Sequence, residues 1–264
     1  MTMSHSFAAD RDRLPRLSSN LASLGRIGVL IGVAVTLCGA TLNPEQLNWY
    51  RVRLGLGGVM TAMPPVTDSL AESIVTWDRL RQSDNLTFYE YAGFLRTRPN
   101  WPGETAMRRA AERSIKPDTI APPDLIAYFT RFQPISNTAS LRYAEALLST
   151  GRVEEARRNA RAAWVAGPLA PDDENRLLAR FGAALTPDDH DRRMDGLLWS
   201  NSISTATRQL AFTSQQKRAL FSARLALKRR APDASAQLLA AWPRWSSDPG
   251  LVADAGFEIL QSTC

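Results

Sequence analysis

Residues 137–165, NTASLRYAEALLSTGRVEEARRNARAAWV, read as two helices folded back on each other. In the first half Leu141, Ala144, Ala146, Leu147 and Leu148 recur at helical spacing. The second half continues the pattern with Val153, Ala156, Ala160, Ala163 and Trp164, and leaves its arginines on the outer side. Ser149-Thr150-Gly151 between the halves supplies the turn. Alanines at the contact positions let the two backbones approach closely.

A related pair lies at residues 216–228 and 232–242, broken at Ala231-Pro232. Two more helices, residues 172–185 and 188–199, stand between the pairs. The second of these starts at Thr186-Pro187-Asp188-Asp189: a capping hydroxyl, a proline at the first helical position and acids in the first turn. His190, in that same turn, reads as a structural side chain rather than a catalytic base. Upstream, residues 71–80 place Ile74, Trp77 and Leu80 near one face with Val75 at its edge. Residues 85–95 form a second helix with Leu86, Tyr89 and Phe94. Pro122-Pro123-Asp124 opens a helix whose stripe is Leu125, Tyr128, Phe129 and Phe132, and Pro134 ends it. From Gln46 to Phe257 scarcely any run alternates with period two. The fold class is therefore all-α, an irregular α-solenoid or superhelix of antiparallel, tetratricopeptide-like helix pairs over residues 41–254. The irregular period points to degenerate repeats.

Residues 1–40 differ in kind. Arg11, Arg13, Arg16 and Arg26 precede the uncharged run IGVLIGVAVTLCGA, residues 27–40, which closes on small side chains. This is the layout of a signal peptide cleaved after Ala40, with an uncleaved membrane anchor as the alternative. The run is short for a spanning helix of about twenty residues. The chain of 264 residues carries a formal charge of +6, and loss of four arginines and two aspartates with residues 1–40 would leave +4. A mild basic surplus suits an anionic partner without choosing one. The two cysteines, Cys38 and Cys264, and two scattered histidines offer neither an internal bridge nor a zinc site.

Residues 94–112 read as the end of one helix, a Pro99-Asn100-Trp101-Pro102-Gly103 corner, and a charged helix containing Met107-Arg108-Arg109-Ala110-Ala111-Glu112. This wording resembles the Pro-Gly/Asn-Trp-Pro … Leu/Met-Arg-Arg-x-Ala-Glu segment in the helical domain of soluble lytic murein transglycosylases. Phe181-Gly182-Ala183-Ala184-Leu185-Thr186-Pro187-Asp188-Asp189-His190, continuing through Arg193 to Leu197-Leu198-Trp199, is similar to that family's Phe-Gly-x-x-Leu-Thr-x-x-Asp-His-x-x-Arg … Leu-Leu-Trp segment. The resemblance runs from about Ala92 to Asp254 and includes residues 144–156, Arg224 to Leu227 and the Asp248-Pro249-Gly250-Leu251 turn. It implies a horseshoe or ring of helices that precedes a lysozyme-like catalytic domain. In that domain one glutamate acts as acid and then base, closing a 1,6-anhydromuramic ring.

The catalytic signature of that family, a Glu-Ser pair followed by a Gly-Leu-Met-Gln-type segment, has no counterpart here. The one Glu-Ser pair, Glu72-Ser73, continues as Ile-Val-Thr-Trp and precedes the helical repeats, so Glu72 reads as a surface residue. No phosphate-cradling glycine loop, nucleophile elbow or metal-spaced cluster is visible. The expectation is a helical scaffold of the peptidoglycan lytic transglycosylase type, periplasmic, without catalytic, cofactor-binding or metal-ligating residues. Residues 255–264 depart from the family pattern and read as a truncated or frame-shifted tail, with a natural stand-alone scaffold as the alternative. Expected partners are peptidoglycan glycan strands, approached through Trp101, Arg108 and Arg109. Membrane contact is expected only through the N-terminal segment, and nucleic acid is disfavoured because no helix concentrates Lys and Arg. The second functional reading is a periplasmic or membrane-tethered adaptor that binds a protein partner.

Overall fold

The computed structural model describes residues 42–60, 68–83 and 85–262, with side chains described to Gly256. The expected signal or anchor at residues 1–40 lies outside the described residues. Among those described there are thirteen α-helices and no strand. They fall into two compact units that divide at Asp78 and Arg79.

In the first unit, α1 (Pro44–Arg53) begins with a capping box. The Asn43 side chain accepts from the Gln46 N–H at 2.8 Å, and the Gln46 side chain accepts from the Asn43 N–H at 2.9 Å. Buried Tyr50 accepts a 2.9 Å bond from the Asp68 N–H, and the Asp68 carboxylate in turn accepts from Leu70 and Ala71 at the start of α2 (Ser69–Gln82). Within α2, Val75 and Leu80 are the buried apolar residues, while Ile74 and Trp77 are half-buried. The expected face is thus turned by about one position.

The second unit begins with the last turn of α2, which holds Leu80, and continues with α3 (Phe88–Thr97) and α4 (Glu104–Ser114), which pack together. Thr87 and Glu90 form the capping box of α3, so the helix starts later than residue 85 and Leu86 precedes it. Phe88 and Tyr91 take the buried positions; Tyr89 is exposed, its hydroxyl on Asp124. The corner between α3 and α4 needs two left-handed residues, Asn100 (φ 64°) and Gly103 (φ 79°). Trp101 is half-buried there with its ring edge-on to Phe94 at 5.4 Å.

Next come α5 (Pro122–Arg131), α6 (Asn137–Ser149) and α7 (Val153–Val165). The α6–α7 pair forms as its sequence implies: Leu141, Ala144, Leu147, Ala156, Ala160 and Ala163 are all 0% exposed. Leu148 and Val153, expected in that contact, are not in this core; Val153 is exposed. Beyond the pair lie α8 (Pro171–Phe181), a 3-10 turn, α9 (Pro187–Trp199), the short α10 (Ile203–Gln209) and a second 3-10 turn. The unit closes with α11 (Arg218–Arg229), α12 (Ala234–Trp245) and α13 (Pro249–Ser262). α12 runs through Pro243, where residue 242 was the expected end, because a proline near the last turn removes only one helical bond. The expected turn at residues 248–251 is the start of α13, with the Asp248 side chain accepting from the Leu251 N–H at 2.9 Å. Substantial packing joins each helix of this unit to neighbours one or two helices away in sequence.

Three arginines lie inside the second unit. Arg142 on α6, Arg193 on α9 and Arg224 on α11 are 4%, 0% and 0% exposed. Each is met by carboxylates. Arg142 pairs with Glu145 and Asp173, Arg193 with Glu174, and Arg224 with Asp195 and Asp254. A buried guanidinium without such partners would not be tolerated. The backbone at Gly250 approaches so closely that a Cβ there would overlap the Arg224 guanidinium.

Candidate functional site

The residues singled out in the sequence have structural positions. Glu72 is joined to Arg53 at 2.8 Å, and the Ser73 hydroxyl donates to the Ser69 carbonyl at 2.7 Å. Trp101 faces Phe94. Arg108 donates to the Gln133 carbonyl at 2.6 Å, with its guanidinium 5.6 Å from the Phe132 ring. Arg109 points to solvent. Trp101 and Arg108 are thus partly engaged in packing α3, α4 and the segment leading into α6, while Arg109 stays exposed.

The 181–199 segment is built the same way, from residues that hold helices together. Thr186 and Asp189 form the capping box of α9. Burial pushes the Asp189 carboxyl upward, but the Thr186 N–H and hydroxyl and the Arg192 guanidinium outweigh it and hold it below its ordinary range. His190 accepts the Trp164 indole N–H on Nδ1 at 3.2 Å and stacks on Phe212 at 5.5 Å. Burial lowers its pKa, with Asp189 and Asp191 opposing and Arg193 adding to the shift. Asp191 accepts from the N–H and hydroxyl of Ser214 at 2.8 and 2.7 Å. Arg193 donates to the carbonyls of Trp164 and Gly167, both at 2.6 Å, and lies 3.9 Å over the Trp164 ring. Glu112 of the α4 motif is 3% exposed and caps the start of α6, accepting from Ile135 N, Ser136 N and Ser136 Oγ at 2.7–2.8 Å.

An arginine-lined cavity lies elsewhere among the described residues, where the end of α6 and the adjoining parts of α7 and α8 meet. It holds about 540 Å³. Leu148, Val153 and Phe181 form its apolar lining, and Arg157, Arg158, Arg161 and Arg180 surround it against one carboxylate, Glu154. Arg157 is paired to Glu154 at 2.7 Å. Arg161 is fixed by the Ala184 carbonyl at 2.7 Å and by Asp189 at 3.0 Å. Arg158 has no hydrogen bond or ion pair among the described residues, and Arg180 stands 3.6 Å from Glu145. A smaller cavity of about 230 Å³ shares Arg180 and adds Lys116, Asp118 and the buried pair Arg142 and Glu145. The arginines of α7 were legible only as an outer helical face. Their convergence with Arg180 requires α8 to be folded beside them.

Chemically the site is a receptor for anions, since it presents guanidinium forks over an apolar floor. Among the described residues no group of three or more His, Cys, Asp or Glu could hold a metal ion. No helix among them is long and apolar enough to cross a membrane. The fold and site thus define an all-helical protein with an arginine-lined cavity. Comparisons with protein-family models, curated proteins and solved structures give no match to this chain.

Proposed function

We propose that this chain is a helical scaffold of the soluble lytic murein transglycosylase type, one that retains peptidoglycan in the periplasm without cleaving it. The second unit is then an irregular α-solenoid of tetratricopeptide-like pairs. Packing mainly between helices one or two apart in sequence supports that reading, since solenoids are held by nearest-neighbour contacts. The family assignment rests on the segments around Trp101 and His190. The export assignment rests on residues 1–40.

The observation that carries the binding function is the arginine-lined cavity of α7 and α8. Peptidoglycan is a polyanion through its carboxylates, and a local positive cluster recruits such a polymer better than diffuse charge does. The test is incubation of the full chain with purified sacculi, scoring both pelleting and released muropeptides. Pelleting without 1,6-anhydro products is the expected result. Release of anhydro products would overturn the non-catalytic part of the proposal.

A second reading, an adaptor for a protein partner, is favoured by one feature. Leu239 and Trp242 are exposed together on α12, at 73% and 42%, and offer neighbouring apolar surface to a partner. Absence of pelleting at low salt would put this reading first.

A further inference from the structure

We infer that the cavity of α7 and α8 is a carboxylate-recognition site, and that it takes the free carboxylates of peptidoglycan stem peptides rather than the sugar rings. The identity of the polymer rests on the function proposed above. The choice of group within that polymer comes from the cavity itself.

Four guanidinium groups face a single carboxylate there, and that carboxylate is already engaged by Arg157. Arg158 has no partner among the described residues, and the Arg180 side chain is 41% exposed with its nearest carboxylate at 3.6 Å. These two have donors to spare. Arg161, tied back through Ala184 and Asp189, is a positioned third charge. Guanidinium donors match the two oxygens of a carboxylate, and a partly enclosed, apolar-floored cavity strengthens the pairing relative to open solvent.

A sugar would ask for something different. Protein sites hold pyranose rings against exposed aromatic faces, and the one aromatic side chain in this lining, Phe181, is buried. Leu148 and Val153 instead offer aliphatic surface, which suits the methyl and methylene groups of a short peptide. The neighbouring cavity shares Arg180 but sets Lys116 and Arg142 beside Asp118 and Glu145, so the cationic excess open to a carboxylate is concentrated in the cavity of α7 and α8.

The experiment measures binding of the full chain to sacculi in two forms, untreated and with carboxylates amidated by carbodiimide and glycinamide. It compares wild type with Arg158→Glu/Arg180→Glu and with a control of equal charge change, Arg109→Glu/Arg229→Glu. All four side chains are exposed, so folding is spared. The cavity variant is expected to lose about tenfold or more in affinity for untreated sacculi, the control much less, and amidation is expected to abolish the difference between them. Equal losses in the two variants would overturn the inference by showing delocalised charge attraction. Full wild-type binding to amidated sacculi would overturn it while leaving the scaffold reading in place. No binding to untreated sacculi would overturn both.

Discussion

Arg193 has no exposed surface, yet it carries a full charge, and burial depresses its pKa from the ordinary guanidinium value. Its ion pair with Glu174, its bonds to two carbonyls and its stacking on Trp164 join α9 to α7 and α8. Removing it leaves those acceptors and a buried carboxylate without their partner. Arg193→Ala is expected to destabilise the fold by about 3–5 kcal/mol, read from urea unfolding midpoints. His190 gives a different signal. Burial holds the folded imidazole neutral, whereas the unfolded chain takes up a proton near the ordinary value of 6.5. Its contribution to stability is therefore fully present above that pH and declines as the pH falls below it, until the folded imidazole itself protonates. Asp189 acts lower, losing its contribution below about its ordinary 3.8. Between about pH 7.5 and 5 the melting temperature of the wild type should fall more than that of His190→Gln. Parallel curves would show that His190 does not titrate differently on folding.

At the scale of helices, the starts were readable where a cap and its helix are contiguous, as at Thr186-Pro187-Asp188-Asp189 and Pro122-Pro123-Asp124. The α6–α7 pair was readable from alanine spacing and Gly151. What escaped the sequence is nonlocal. Arginines at 142, 193 and 224 look like surface residues in any helical pattern, and only Asp173, Glu174 and Asp254, supplied by other helices, make them interior ones. Glu112 is a similar case: its motif was visible, but its task of capping α6 from 23 and 24 residues away was not. Glu112→Ala would strand two backbone N–H groups and a hydroxyl in a half-buried place. A loss of about 2–4 kcal/mol is expected, with faster amide exchange at Ile135 and Ser136. Exchange rates unchanged from wild type would show that the cap is dispensable. The candidate site was the least legible feature, because a cavity depends on how three helices meet, while each arginine alone reads as solvated.

For the whole molecule, a charge of +6 gives general attraction to polyanions, but the functional claim is narrower. It requires that binding to the cell wall be carried by ion pairs at a defined place, and such binding weakens as salt screens it. The glutamate of the one Glu-Ser pair, Glu72, is held by Arg53 at 2.8 Å. The most direct measurement is the affinity of the full chain for untreated sacculi across a salt series from about 20 to 300 mM, a range that spans the change in Debye length from well above to below about 10 Å. Saturable binding at low salt that falls steeply with added salt is the expected result. Failure to bind at the lowest salt, or binding indifferent to salt, would contradict an arginine-based peptidoglycan scaffold.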